Sequence, residues 1–212
     1  MTEEELLKIF KEKDACWMHN GDPKKPHAQL TSGKCSNGFF DCMRVLKDPE
    51  LCRLLAEELT EKLKREGILH VDWVIGSPYA AITFSYEVAS NLGALHAFPE
   101  KSREDKNKMV WKRFSIPEGA TILQVEELIT TAKTFREVRR AVTEENEDPV
   151  DFLPIVATII HRPPKLPAEH DGTEIISLLE KEVWAVEQKD CPLCKKGSKR
   201  YRPKTHWAEL TK

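Results

Sequence analysis

The chain has 212 residues, 40% of them hydrophobic and 32% charged, with a formal net charge of −2. That length suits one α/β domain, with a small subdomain at most, and can bury a sizeable core. So even a charge balance gives no electrostatic reason to expect nucleic acid or an anionic membrane as a partner. No run approaches the roughly 18 apolar residues of a membrane span. The acidic opening Met-Thr-Glu-Glu-Glu is unlike the basic, then apolar, start of a secretory signal, so a cytoplasmic location is expected.

Thr2 and Glu5 form a capping-box pair ahead of Leu6, Leu7 and Phe10, which predicts a first helix. Gly21, Pro23, Pro26, Gly33 and Gly38 then break any periodicity over 15–38, a segment rich in loops. Asp48 and Pro49 supply the cap and first position of a second helix; Leu51, Leu54, Leu55, Leu59 and Leu63 keep helical spacing until Gly67 stops it. Strands and helices alternate from there. Strands are predicted at 71–75, 94–98, 121–125, 152–160 and 175–179, and helices at 80–92 and around 133–145. Residues 100–108 read as a polar loop, and 109–114 as one arm of a hairpin. Such alternation implies an α/β fold with a mostly parallel sheet flanked by helices. The chain divides into an N-terminal hood and helix at 1–46, an α/β core at 47–190 and a basic tail at 191–212.

Six cysteines (Cys16, Cys35, Cys42, Cys52, Cys191 and Cys194) are spaced as reduced thiols rather than as a disulfide framework. Cys191 and Cys194 form a CxxC pair, which can be half of a tetrahedral zinc site. The other half would have to come from Cys16, His19 or His206, none of which sits in a matching knuckle, so no metal ligand is assigned. The plainer reading is a thiol turn that docks the tail.

The segment that carries chemistry is ATILQVEELITTAKTFREV, residues 120–138. An apolar strand delivers the adjacent carboxylates Glu126 and Glu127 to its C-terminal end. The loop Thr130, Thr131, Ala132, Lys133, Thr134 follows, and then an amphipathic helix begins. In open α/β sheets ligands bind beyond the carboxyl ends of strands, and a helix N-terminus there offers unpaired N–H groups and partial positive charge to a phosphate. Vicinal ribose hydroxyls suit the paired carboxylates. The alternative is a solvated strand end followed by a Thr-capped helix.

This stretch resembles the phosphoribosyl pyrophosphate (PRPP) motif of the type I phosphoribosyltransferases, and within them the chain looks closest to the orotate phosphoribosyltransferases. It departs from the motif at Gln124, usually apolar, at Glu127, usually Asp, and at Ala132, usually Gly. The run LTSGKCSNGFFD at 30–41 resembles that family's hood over the planar base, which implies base-side roles for Lys34 and for Phe39 or Phe40; core packing is the alternative for each phenylalanine. VIGSPYAAI at 74–82 stands where the family has its pyrophosphate loop, with Ser77, Tyr79 and Ala80 as implied contacts and Ala80-Ala81 in place of Gly-Gly. Each alanine adds a Cβ where the backbone would approach phosphate, and glycine would restore access to positive φ. FPEKSREDKNKMVWKRF at 98–114 looks like the family's mobile catalytic loop, with Lys101 the best-matched cation and Lys106 and Lys108 weaker candidates. Arg162 matches the arginine that binds the orotate carboxylate, with His161 replacing the usual acid before it. CPLCKKG at 191–197 resembles a C-terminal element of longer members, so the likeness covers roughly 27–204.

The resemblance implies transfer of 5-phosphoribosyl from PRPP to a pyrimidine base, orotate first, with release of pyrophosphate. Magnesium would arrive with the diphosphate and keep several waters. A homodimer is implied, with residues 101–112 poorly ordered until substrate binds. A second reading stays open: a catalytically impaired nucleotide- or PRPP-binding protein on the same fold, suggested by Ala80, Ala81, Ala132 and Glu127.

Overall fold

The computed structural model describes residues 1–105 and 107–212. Both N-terminal helix signals act as their chemistry requires. Thr2 and Glu5 cap Glu3–Glu12 reciprocally, and the Asp48 side chain accepts from Glu50 N at the start of Pro49–Arg65. At the centre lies a five-stranded parallel sheet. Across it the order is Glu174–Glu180, Asp151–His161, Thr121–Ile129, Trp73–Gly76 and Leu95–Ala97.

That order positions the site. The chain passes from Trp73–Gly76 to Leu95–Ala97 on one side, then crosses back to lay Thr121–Ile129 on the other side of Trp73–Gly76. Loops leaving the two central strands therefore diverge and open a crevice at their carboxyl ends. Side chains along Thr121–Ile129 alternate between the layers. Leu123 and Val125 join the core under Pro49–Arg65 and Ile82–Leu92, whereas Ile122 packs with Val138, Ala141 and Val142 of the helix Lys133–Glu145.

A smaller four-stranded sheet runs in the order Ala185–Val186, Cys35–Ser36, His27–Gln29, Arg200–Tyr201. It holds two adjacent strands from the hood segment between two edge strands from near the C-terminus. Among the described residues no helix is long and apolar enough to cross a membrane.

Two sequence expectations change. The central strand runs on to Ile129, so the two carboxylates sit inside it rather than past its end. The segment 101–112 is also not loosely held throughout. Glu100–Lys101 pairs antiparallel with Met109–Val110, and Met109 and Trp111 are buried. Met109 N donates to Glu137 at 2.9 Å, Trp111 N donates to Glu145 at 2.8 Å, and Arg140 donates to Met109 O at 2.8 Å. These bonds tie the second arm to the helix Lys133–Glu145 of its own chain, a tie that a count of charges along the loop does not reveal.

Candidate active site

Glu126 lies at the crevice where the two central strands meet, 1% exposed. Strand alternation turns it toward the helix Lys133–Glu145, onto the same face as Gln124. Ser77 Oγ donates to its carboxylate from the end of the neighbouring strand. Gln124 Nε2 donates to it at 3.0 Å and to Phe135 O at 3.2 Å. Arg139 then donates from Nε to Gln124 Oε1 at 3.1 Å, and from Nη2 to Leu153 O and Ile155 O at 3.0 and 2.8 Å. Burial pushes the Glu126 carboxyl up to about 8, Glu127 pushes it the same way, and the Ser77 and Gln124 hydrogen bonds oppose the rise. At neutral pH Glu126 is therefore mostly the neutral acid.

Glu127 is half-buried and lines the cleft. Burial raises its carboxyl as well, but Lys101 pulls the other way. Lys101 reaches over from the hairpin, with Nζ 5.4 Å from the centroid of the exposed Tyr79 ring. The cation, the ring and the freer carboxylate thus share one mouth.

Residues 126–135 line an open cleft of about 530 Å³, counting space open to solvent. Thr131, Lys133 and Thr134 are exposed there, and Ala132 is buried at the helix cap with φ 62° and ψ −2°. Among the described residues no group accepts from the backbone N–H of Thr131, Ala132, Lys133, Thr134 or Phe135. A thirteen-residue helix thus presents free donors and its positive end to the cleft.

Arg162 follows the strand Asp151–His161, its N–H donating to Ile129 O at 2.8 Å. Its side chain is half-buried, and that burial lowers its pKa. Cys42 Sγ donates to Glu127 O at 3.4 Å. Arg162 Nε has no partner among the described residues. His161 is turned away, buried between Glu180 at 2.7 Å and His170 at 2.9 Å.

Other residues singled out in the sequence lie elsewhere. The Phe40 ring is inside the core, edge-on to Phe10 at 6.2 Å. Phe39 meets Trp207 at 6.3 Å and lines a separate cleft with Gln29, Leu30, Thr31 and Arg202. Lys34 pairs with Glu187 at 3.6 Å. Ser77 is turned inward onto Glu126, and Lys106 lies outside the described residues. Ala81 caps Ile82–Leu92 with φ −85°, and Ala80 has no positive φ, so of the three alanines Ala132 alone occupies the left-handed region.

The thiol pair also finds partners that sequence spacing did not suggest. Ligand atoms of His27, Cys35, Cys191 and Cys194 all lie within 4.8 Å of one another. His19 packs against Trp17 and His206 stacks on Tyr201, away from the pair; Cys16 pairs in a different sheet, with Phe40. The small sheet explains the difference, since it lays Cys35 and His27 on adjacent strands and brings the tail against them. Short strands built from distant segments leave little sequence signal; the one hint was a histidine just before the hood motif and a cysteine within it.

No family model matches the chain. It is 34% identical over 203 residues to orotate phosphoribosyltransferase of Pelotomaculum thermopropionicum, covering 96% of this chain and 97% of that protein. The solved orotate phosphoribosyltransferase of Aeropyrum pernix superposes with a TM-score of 0.57 at 14% identity, over 82% of this chain and 93% of that one. Leishmania donovani UMP synthase superposes with a TM-score of 0.59 at 18% identity, over 91% of this chain but 38% of that longer one.

Proposed function

Because the chain belongs to the orotate phosphoribosyltransferase family, we propose that it transfers 5-phosphoribosyl from PRPP to a pyrimidine base, orotate first, and releases pyrophosphate. The observation that carries this reading is the row of unpaired N–H groups at 131–135, set beside Glu127 at the sheet's switch point. In this reading those groups and the hydroxyls of Thr130, Thr131 and Thr134 hold the 5-phosphate. Glu127 accepts from a ribose hydroxyl, and Glu126, held neutral, fixes Ser77 and the floor of the site. Lys101 offsets charge developing on the departing pyrophosphate. Arg162 meets the base carboxylate through its guanidinium fork, which gives the orphaned Nε a partner. No covalent intermediate is needed, since positioning and charge neutralisation carry the reaction.

Magnesium fits this donor set through a single carboxylate. Glu126 is engaged and mostly neutral, whereas Glu127 offers a hard oxygen at the cleft. When bound with the diphosphate the ion would supply charge neutralisation. The assembly in this reading is a homodimer in the cytoplasm.

A second reading, a protein that binds PRPP or a nucleotide without turnover, is favoured by the inward turn of Glu126, whose carboxyl burial pushes up to about 8, and by the Cβ of Ala132 at the phosphate loop. Both readings share the phosphate cradle, which calorimetric titration of PRPP tests. The variant Thr131→Val/Thr134→Val is expected to bind at least about tenfold more weakly, since hydrogen bonds to charged groups contribute roughly 1.5–3 kcal/mol. Unchanged affinity in the folded variant would remove the cradle from this account.

A further inference from the structure

We propose that His27, Cys35, Cys191 and Cys194 bind one zinc ion in a closed structural site that fastens the C-terminal tail to the hood. Three of the six ligand-to-ligand edges already match a tetrahedron, and all six are within 4.8 Å. With Zn–S of about 2.3 Å and Zn–N of about 2.0 Å, the edges should be about 3.8 Å between sulfurs and about 3.5 Å between sulfur and nitrogen. Cys35 and Cys194 Sγ atoms are 3.6 Å apart, and His27 Nε2 lies 3.5 Å from Cys191 Sγ and 3.4 Å from Cys194 Sγ. Hydrogen bonds between thiols and an imidazole give no reason for four groups to converge on one point; a shared central ion does.

The surroundings fix the histidine for this task. Ser198 Oγ donates its proton to Lys25 O at 2.6 Å, so toward His27 it can only accept. His27 Nδ1, 2.8 Å away, must be the donor, which leaves the Nε2 lone pair facing the three sulfurs. A ligating histidine anchored through its other nitrogen is the usual arrangement around zinc. Cys194 N–H points at Cys191 Sγ at 3.4 Å, and Gly197, with φ 83°, completes the turn of the knuckle.

Charge and closure are consistent with zinc. Binding releases the thiol protons and leaves three thiolates and a neutral imidazole around a dication, a net charge of −1. The Cys194 amide and the Arg200 guanidinium, 4.0 Å from Cys35 Sγ, face that charge. Cys35, Cys191 and His27 are fully buried, and four protein ligands leave no open position for a substrate, so the role is structural. The ligands are separated by up to 167 residues, and the site stands apart from the cleft at 126–135.

The test is metal analysis of the full-length chain, purified with a non-chelating reductant from zinc-supplemented cells. Expected is one zinc per chain, released when a mercurial blocks the thiols, and a fall in melting temperature on removal. Cobalt added to the metal-free chain should give the visible bands and sulfur charge-transfer absorption of a tetrahedral thiolate site. Cys191→Ser should lose the zinc, and His27→Cys should retain it and shift those cobalt bands, which keeps the test sound if Cys191→Ser does not fold. Zinc far below one equivalent, together with cobalt spectra lacking thiolate bands, would overturn the proposal. So would reduced, metal-free protein that melts no lower than the zinc-loaded form.

Discussion

Gln124 Nε2 lies 3.0 Å from Glu126 Oε1, two residues away on the same face of the central strand. An amide thereby bridges the acid to the helix behind it through Phe135 O and Arg139. The folded carboxyl stands at about 8 against an ordinary 4.5, so the folded state holds a proton that the unfolded chain gives up between those values. This contribution to stability is whole below the unfolded value, declines as pH rises, and is gone above about 8. Glu126→Gln removes the titration. Denaturant unfolding at about pH 5.5 and about pH 8.5 should show the native chain losing stability on the order of a few kcal/mol more than the variant. Parallel losses in both proteins would place the titration elsewhere.

Ala132, at φ 62°, carries a left-handed conformation that costs a non-glycine residue about 1–2 kcal/mol. Glycine adds unfolded-state freedom of about 0.4–1 kcal/mol, so Ala132→Gly should leave a net gain of about 0.5–1 kcal/mol and bind PRPP more tightly. Ala81→Gly, at an ordinary helical φ, should instead lose about 0.5–1 kcal/mol. Unfolding curves of the two single variants distinguish the positions, and equal effects would contradict the assignment.

Arg162 has a buried Nε with no partner in the described structure. Arg162→Lys keeps the charge but loses the planar fork, so KM for orotate should rise about tenfold or more while PRPP affinity holds. A base without a carboxylate, such as uracil, should be affected far less. Equal losses with both bases would assign Arg162 to packing alone.

Much of this was legible in the sequence because it rests on local rules. The capping box at Thr2 and Glu5, the Asp48-Pro49 start and the helix Lys133–Glu145 are each dictated by neighbours within a few residues. The turn at 130–134 that leads from the strand into that helix was legible for the same reason. What escaped depends on pairing across the chain. Gln124 looked like a polar intruder in an apolar strand, and its reason appears only when Arg139 and Phe135 pack against it. Phe39 and Phe40 alternate as any strand would, but which face meets the core depends on Phe10 and Trp207, remote in sequence.

Lys101 sits above Tyr79 and partly opposes the rise that burial imposes on the Glu127 carboxyl. If its charge acts on the departing pyrophosphate, as proposed, Lys101→Ala should lower kcat by about 10²–10³ while changing PRPP affinity little. Loss of PRPP binding with kcat unchanged would reassign it to the ground state.

The most direct test is turnover. The full-length chain, incubated with PRPP, magnesium and orotate, should consume orotate and release one pyrophosphate for each nucleotide formed, with no pyrophosphate released when the base is omitted. Glu127→Gln should slow the reaction by at least about tenfold through loss of a charged acceptor to the ribose. Tight binding of PRPP with no nucleotide formed from orotate or any other base would contradict the enzyme reading and leave a binding protein on the same fold.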